Sequence, residues 1–344
     1  MMEHAHGPRR HYVVSLRYTD PQVEISCGDV RCATSSSRFS PLALLPLLRL
    51  ARQLGDPIIH CYLFRSQVYG YLAKALDSRC RLILHEGGRI VQREHEPLWE
   101  SVVYPLFLRA ASRSTDMFIA NSHHTLGRLE AGGYRGRLAS RVVYNSILTE
   151  APGFDPARRA IARSKLGLNS SSFVIGFAGR LVERKGWREF ITSAESFREH
   201  RDLHWLIAGT GPEHEAAECI IAKRKLGQVR LLGFQSDMDS FYRALDLCVV
   251  PSHWEPHGLV QIEAQGRGVP VAVSKVPGMA ETVNEGVDAV LFEPKNTADL
   301  VARVREVLNH SDLRDRLSVG SIANAQKFTI QHYHDQLESC YRLL

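Results

Sequence analysis

None of the seven cysteines stands in a Cys-x-x-Cys pair: Cys27, Cys32, Cys61, Cys80, Cys219, Cys248 and Cys340 are scattered and odd in number. That excludes a disulfide framework and a structural zinc, and several of them sit in apolar runs, as reduced thiols of an intracellular protein do. Long apolar runs are missing as well. The most hydrophobic stretch, residues 41–54, contains Pro46, Arg49 and Arg52 and is too short to span a bilayer. The opening Met-Met-Glu-His-Ala-His-Gly-Pro-Arg-Arg lacks the apolar segment of a signal peptide, so a cytoplasmic location is expected. There is no internal repeat and no low-complexity tract. Gly209-Thr-Gly-Pro-Glu-His214 imitates a dinucleotide fingerprint but lacks its third glycine and carries Pro212, which argues against a nicotinamide cofactor. Neither His123-His124 nor His332-x-His334 has a cysteine or carboxylate partner at metal-ligand spacing. Asp237-Met-Asp239 imitates a metal-binding pair, yet Ser236 or Asp237 suits the N-cap of a helix through Phe241 and Leu245. No metal and no cofactor are expected.

What is present is a length of 344 residues, enough for two domains with a core each. Short apolar runs alternate with helical patterns throughout, the signature of parallel sheets built from strand–helix–strand units. The expected strands are 12–16, 23–26, 58–62, 82–84, 117–120 and 141–144 in a first series, then 173–178, 203–208, 229–232, 247–250, 271–273 and 290–292 in a second. The segment Glu150-Ala-Pro-Gly-Phe-Asp-Pro156 marks a hinge between them, followed by a basic helix over 158–168. Two doubly wound α/β domains follow, 1–150 and 173–328, with a linker over 151–172. The net charge of +6 falls on the first: residues 1–150 hold 19 Lys and Arg against 13 Asp and Glu, whereas 151–344 hold 24 of each. Basic surface there favours an anionic lipid, an anionic glycan or the inner membrane face. No nucleic-acid-binding motif accompanies it. Trp99, Val103, Leu106, Phe107 and Ala110 recur at helical spacing and are expected to pack in the core, the other reading being a helix lying on a membrane.

Chemistry concentrates in the second series. Arg180 and Lys185 follow the strand that ends at Ala178, where doubly wound folds bind ligands, and a guanidinium with an ammonium suits a diphosphate. Glu255 and Glu263 stand eight residues apart around the turn His257-Gly258-Leu259-Val260, and ionised carboxylates accept hydrogen bonds from hydroxyl pairs. Together these suit a nucleotide-sugar. His85 ends the strand Arg81-Leu-Ile-Leu and precedes Glu86-Gly-Gly-Arg89, whose glycines allow close approach to a ligand.

In order along the chain, Ile175-Gly-Phe-Ala-Gly-Arg180, Lys185-Gly186, Leu206-Ile-Ala-Gly-Thr-Gly-Pro212, Val229-Arg-Leu-Leu-Gly233, Ala244-Leu-Asp-Leu-Cys-Val-Val-Pro-Ser252, the Glu255/Glu263 pair, Gly268-Val-Pro270 and Pro277-Gly278 with Glu281 resemble the retaining glycosyltransferases of family 4, or group 1. The N-terminal half matches more loosely, through Ile58-Ile59-His60, Leu82-Ile-Leu-His85, Ala120-Asn-Ser122 and Val142-Val-Tyr-Asn145. The resemblance implies the GT-B architecture, two Rossmann-like domains facing across a cleft, with the acceptor on the N-terminal one and the last helix, 329–344, packed back on it. It implies catalytic roles for Arg180, Lys185, Glu255 and His85, with Glu255 on the transferred sugar and Glu263 on the ribose. Gly179, Gly258, Leu259, Val260 and Leu232 would complete the donor site. It implies retaining, metal-independent transfer from a UDP- or GDP-sugar to a glycan, lipid-linked or small-molecule acceptor, with peripheral membrane contact in reach. His257 stands where the family usually has an aromatic, and Arg89 is a further acceptor-side candidate.

A nucleotide-sugar epimerase and a non-catalytic nucleotide-sugar-binding protein remain open beside the transferase. The family opens with an apolar strand, a Gly-rich loop and a helix before the strand matched to residues 12–16, and here only eleven residues, without an apolar run, precede it. The N-terminal domain is therefore expected to lack its first strand–helix unit, on the order of 30 residues, and the chain to show weak or no transfer.

Overall fold

The computed structural model describes residues 12–15, 29–32, 44–88, 90, 98–147 and 152–344. The chain divides into two units: residues 1–119, 129–141 and 341–344 form the first, and 120–128 with 142–340 the second. The expected strand at 23–26 and Arg89 lie outside the described residues, as does much of the stretch before Ile58.

In the first unit, strands β1 (Tyr12–Ser15) and β2 (Asp29–Cys32) pair in parallel with each other. β2 was not foreseen from sequence. A separate four-stranded sheet has the order β3-β4-β5-β6, made of Ile58–Cys61, Arg81–Glu86, Met117–Ala120 and Arg141–Val142. Among the described residues β3 pairs only with β4, Ile58 lying opposite Arg81. Helices α1 (Leu44–Leu54), α2 (Phe64–Leu76) and α3 (Leu98–Ser112) alternate with these strands, and α4 (His123–Ala131), whose residues 123–128 belong to the second unit, follows β5. Buried Lys74 on α2 joins Asp116 at 3.2 Å, and Asp116 also accepts from the Leu82 amide at 2.8 Å, so the carboxylate fastens α2 to the sheet.

α3 corrects an expectation. Val103 and Leu106 are exposed, as is Ala110, and the buried face is Tyr104, Leu108 and Ala111. The helix is apolar on several sides, so spacing alone does not tell which side meets the core. Among the described residues, no helix is long and apolar enough to cross a membrane.

The second unit is a six-stranded, wholly parallel sheet of order β12-β11-β10-β7-β8-β9, from β7 (Phe173–Ala178), β8 (Leu203–Ala208), β9 (Val229–Gly233), β10 (Leu247–Val250), β11 (Val271–Ser274) and β12 (Ala289–Phe292). Alternation along β7 shows why both faces are covered. Ile175 and Phe177 pack with Trp187, Phe190 and Trp205 on one face, while Val174 and Ala178 pack with Phe241, Leu245 and Ala264 on the other. In chain order the helices are α5 (Pro156–Lys165), α6 (Trp187–Ala194), α7 (His214–Lys223), α8 (Met238–Ala244), α9 (Val260–Gln265), α10 (Pro277–Ala280), α11 (Thr297–Asn309), α12 (Ser311–Ala325) and α13 (Ile330–Tyr341), the last residue of which, Tyr341, falls in the first unit.

The basic helix read from the linker is α5, and two of its arginines work inside the protein. Arg163, 4% exposed, donates to the carbonyls of Ser170, Ser172 and Ala244, and with Arg159 it pairs with Asp246, which also accepts from the Val174 amide at 2.7 Å. These bonds lock α5 against the entry of β7 and β10. Glu281, after α10, accepts from the amides of His123 and His124 at 2.7 and 2.9 Å, satisfying free donors at the start of α4.

Candidate active site

Strand order in the second unit reverses between β7 and β10, and a parallel sheet opens a ligand crevice at the carboxyl ends of the strands that flank such a reversal. Two turns meet there. After β7 come Gly179 and an exposed Arg180, then a short 3-10 turn, Glu183–Lys185, closed by Gly186 at φ +68°. Any Cβ on Gly186 would collide with the Pro251 carbonyl, so this position needs glycine for both its backbone and its neighbour. After β10 the chain runs Pro251-Ser-His-Trp-Glu255, and the His253 amide donates to the Arg184 carbonyl at 2.7 Å.

That junction delivers Lys185 to Glu255. The two form an ion pair, and Arg184 approaches the same carboxylate oxygen at 3.3 Å while its guanidinium lies 4.8 Å from the centre of the Trp254 ring. Glu255 is 8% exposed, a burial that demands such partners. The group expected to accept sugar hydroxyls and the cation expected to meet phosphate thus hold each other. Arg180 makes no ion pair among the described residues and presents a free guanidinium at the same strand end.

Gly258 at φ +80° and exposed Leu259 lead into α9, with Val260 half-buried at its start. On α9, Glu263 is half-buried and accepts from the Tyr242 hydroxyl at 2.7 Å. Burial, and then the Glu263 carboxylate, push the Tyr242 hydroxyl well above its ordinary range, so it remains a donor. Leu232 is half-buried near the end of β9, where its carbonyl accepts from Gln235 at 2.7 Å. His257 is 1% exposed, and among the described residues neither of its ring nitrogens has a hydrogen-bond partner. It rests against Tyr144 and Phe328, with centroids 5.5 and 5.9 Å away, and burial holds it down at about 4. The imidazole occupies an aromatic's place as an aromatic would, by packing.

His85 belongs to the first unit. β4 continues past it to Glu86, so it stands within the strand and not beyond its end. It is 3% exposed, burial lowers it to about 4, and its Nδ1 lies 3.2 Å from Nε2 of His60. Asp237 caps α8 by accepting from the Ser240 amide at 3.0 Å, and Asp239 takes Arg243 and Arg267 at 2.7 and 3.0 Å. Among the described residues no cluster of three or more His, Cys, Asp or Glu could hold a metal.

Sequence reasoning missed Arg184, Tyr242 and His60 as parts of these clusters. Arg184 had a signal, its place beside Lys185. Tyr242 had none, because only the fold brings α8 beside α9.

Comparison with known proteins bears on the same segment. Residues 158–323 match the family model described as "Glycosyl transferases group 1". A D-inositol 3-phosphate glycosyltransferase of Geodermatophilus obscurus is 33% identical over 201 residues, covering 55% of this chain and 44% of the relative. A 2-deoxystreptamine glucosyltransferase of Streptomyces kanamyceticus is 29% identical over 313 residues, covering 84% of this chain and 78% of that one. The chain spans about half the length of the first curated relatives it matches, at 44%, 49% and 50%. Among solved structures, Anabaena HepE in complex with UDP superimposes with a TM-score of 0.79 at 23% identity, over 92% of this chain and 86% of that one. At that identity the likeness shows the fold, which is GT-B.

Proposed function

We propose, from the match of residues 158–323 to the group 1 glycosyltransferase family model, that the chain is a retaining glycosyltransferase moving a sugar from a nucleotide-diphosphate sugar to an acceptor hydroxyl. The observation that carries this reading is the convergence of Lys185, Arg184 and Glu255 at the strand-order reversal, with Glu263 held ready by Tyr242 on the following helix. A uridine donor is favoured, because the structurally similar HepE was solved with UDP and with UDP-glucose.

In this reading Glu263 accepts the two ribose hydroxyls and Glu255 accepts hydroxyls of the transferred sugar. Arg180 and Lys185 meet the diphosphate. As the bond from the anomeric carbon to the phosphate oxygen breaks, the electron pair stays on the leaving diphosphate, where fixed cations stabilise the growing charge. The acceptor oxygen bonds to the same face of that carbon, and its proton passes to a leaving phosphate oxygen. Nucleoside diphosphate and glycosylated acceptor result. His85, on the first unit, serves the acceptor side. Because arginine and lysine supply the positive charge, no metal is required.

The acceptor class is a glycan, lipid-linked or small-molecule hydroxyl compound taken by the first unit, in a cytoplasmic protein. Peripheral membrane contact draws support from α3, whose exposed Val102, Val103 and Leu106 adjoin exposed Arg109 and Arg113. The test is a panel of UDP-, GDP- and ADP-sugars scored for thermal stabilisation, then for transfer with and without EDTA. Stabilisation by a UDP-sugar and EDTA-resistant transfer are expected. Stabilisation without transfer to any acceptor would make this a binding protein, sugar interconversion without acceptor would make it an epimerase, and EDTA loss restored by manganese would overturn the metal-free reading.

A further inference from the structure

The turn Gly209-Thr-Gly-Pro-Glu213, which imitates a dinucleotide fingerprint in sequence, lies against the segment that carries Arg180 and Lys185. Parallel pairing of β7 with β8 ends at Ala178 and Ala208, but the backbone contact does not. The Gly179 amide donates to the Ala208 carbonyl at 2.9 Å, the Leu181 amide to the Thr210 carbonyl at 3.0 Å, and the Glu213 amide returns to the Leu181 carbonyl at 3.2 Å. A Cβ on Gly209 would collide with the Gly179 carbonyl, and one on Gly211 with that of Leu181. The two glycines thus admit a neighbouring backbone, a reason for glycine at this spacing that needs no dinucleotide.

Glu213 completes this contact with its side chain. Val182 stands at the N-cap of the Glu183–Lys185 turn and has no side-chain oxygen to offer the free amides there. Half-buried Glu213, thirty residues away, supplies one: its Oε1 accepts from the Glu183 amide at 2.7 Å. Its Oε2 accepts from Nε1 of Trp187 at 3.1 Å and from exposed Arg188 at 3.2 Å. Trp187 opens α6 and is fully buried among Phe177, Phe190 and Trp205. One carboxylate therefore holds both sides of the turn that aims Lys185, by the amide at its start and the indole just past its end. Charge alone gives no reason for a carboxylate here, because beside a cation that meets phosphate it opposes the incoming anion.

We propose that Glu213 is a positioning residue that holds Lys185 in place for the diphosphate, by fastening its turn to the core through Trp187. The phosphate role of Lys185 rests on the function proposed above, but the fastening does not. Calorimetry of the full chain with UDP tests the first, and the nitrogen-15 and proton shifts of the Trp187 indole, assigned by loss of its signal in Trp187→Phe, test the second. Glu213→Ala should move the indole signal to the position of an unbonded N–H and weaken UDP binding roughly 10-fold, the scale on which orienting partners act. The sign is diagnostic, since loss of a negative charge alone would tighten the binding. A variant that merely loosened the domain would lose UDP with or without Lys185, so Glu213→Ala is also combined with Lys185→Ala, and the double variant should bind no more weakly than Lys185→Ala alone. An unmoved indole signal, unchanged or tighter UDP binding by Glu213→Ala, or additive losses in the double variant would overturn the proposal. A moved indole signal in Glu213→Ala, when the unaltered protein binds no UDP, would uphold the fastening and sink the nucleotide-sugar reading.

Discussion

Glu255 and Lys185 set the tone at the scale of single residues, because each is the other's ion-pair partner. Removing Lys185 leaves a buried carboxylate held by Arg184 alone and, in the proposed reaction, strips a cation from the departing diphosphate. Lys185→Ala should therefore lower kcat by about 100-fold or more, the usual loss of one preorganised group acting on developing charge, whereas Glu263→Ala should mainly weaken UDP binding, roughly tenfold or more for lost charged hydrogen bonds. Calorimetry with UDP beside saturating-donor kinetics separates the two, and the same pattern in both variants would mean the roles are misassigned. Both residues were legible in the sequence because their motifs are local. Tyr242 and Arg184 were not, since their parts depend on contacts the chain makes only when folded.

His257 carries a pH consequence. It enters the fold neutral at about 4, against an ordinary value of 6.5. Below 6.5 the unfolded chain takes up a proton that the folded chain refuses. Its contribution to stability is thus complete above that pH and is lost as pH falls toward 4, by up to about 1.4 kcal/mol per pH unit. His257→Phe also removes two buried nitrogens that have no partner among the described residues. Thermal melts at pH 7 and pH 5 should show a smaller acid loss in the variant, and equal losses would mean that His257 is charged in the folded protein.

Among the elements, the turn over Glu183–Lys185 illustrates how a short piece of backbone aims a side chain. Gly186→Ala places a methyl group at positive φ and against Pro251, so it should cost about 1–3 kcal/mol and weaken UDP binding by displacing Lys185. Gly227→Ala, with nothing near its Cβ and no positive φ, is the control and should stay within about 0.5 kcal/mol. Equal effects at the two sites would remove Gly186 from the site's architecture. All six strands of the second sheet lie within one residue of their expected limits, because short apolar runs between turns are a strong signal for parallel strands. α3 was misread for the opposite reason, having apolar residues on more sides than one.

For the whole molecule, the parallel order of the second sheet has a kinetic meaning. Its two halves join where Leu247 lies opposite Ile175, residues far apart in the chain. Joining them closes a long loop, and that entropy must be met before the pairing returns anything, which makes the join a late event in folding. Lys185 and Glu255 meet only across this join, so the capacity to hold nucleotide should be the last property the refolding chain acquires. Stopped-flow refolding should show far-ultraviolet circular dichroism recovering before a fluorescent UDP analogue binds, and simultaneous recovery would mean that the join closes in the first collapse. During synthesis the same order gives nucleotide no purchase on a growing chain until Glu263 has left the ribosome, so it cannot serve as a template for the strands made earlier.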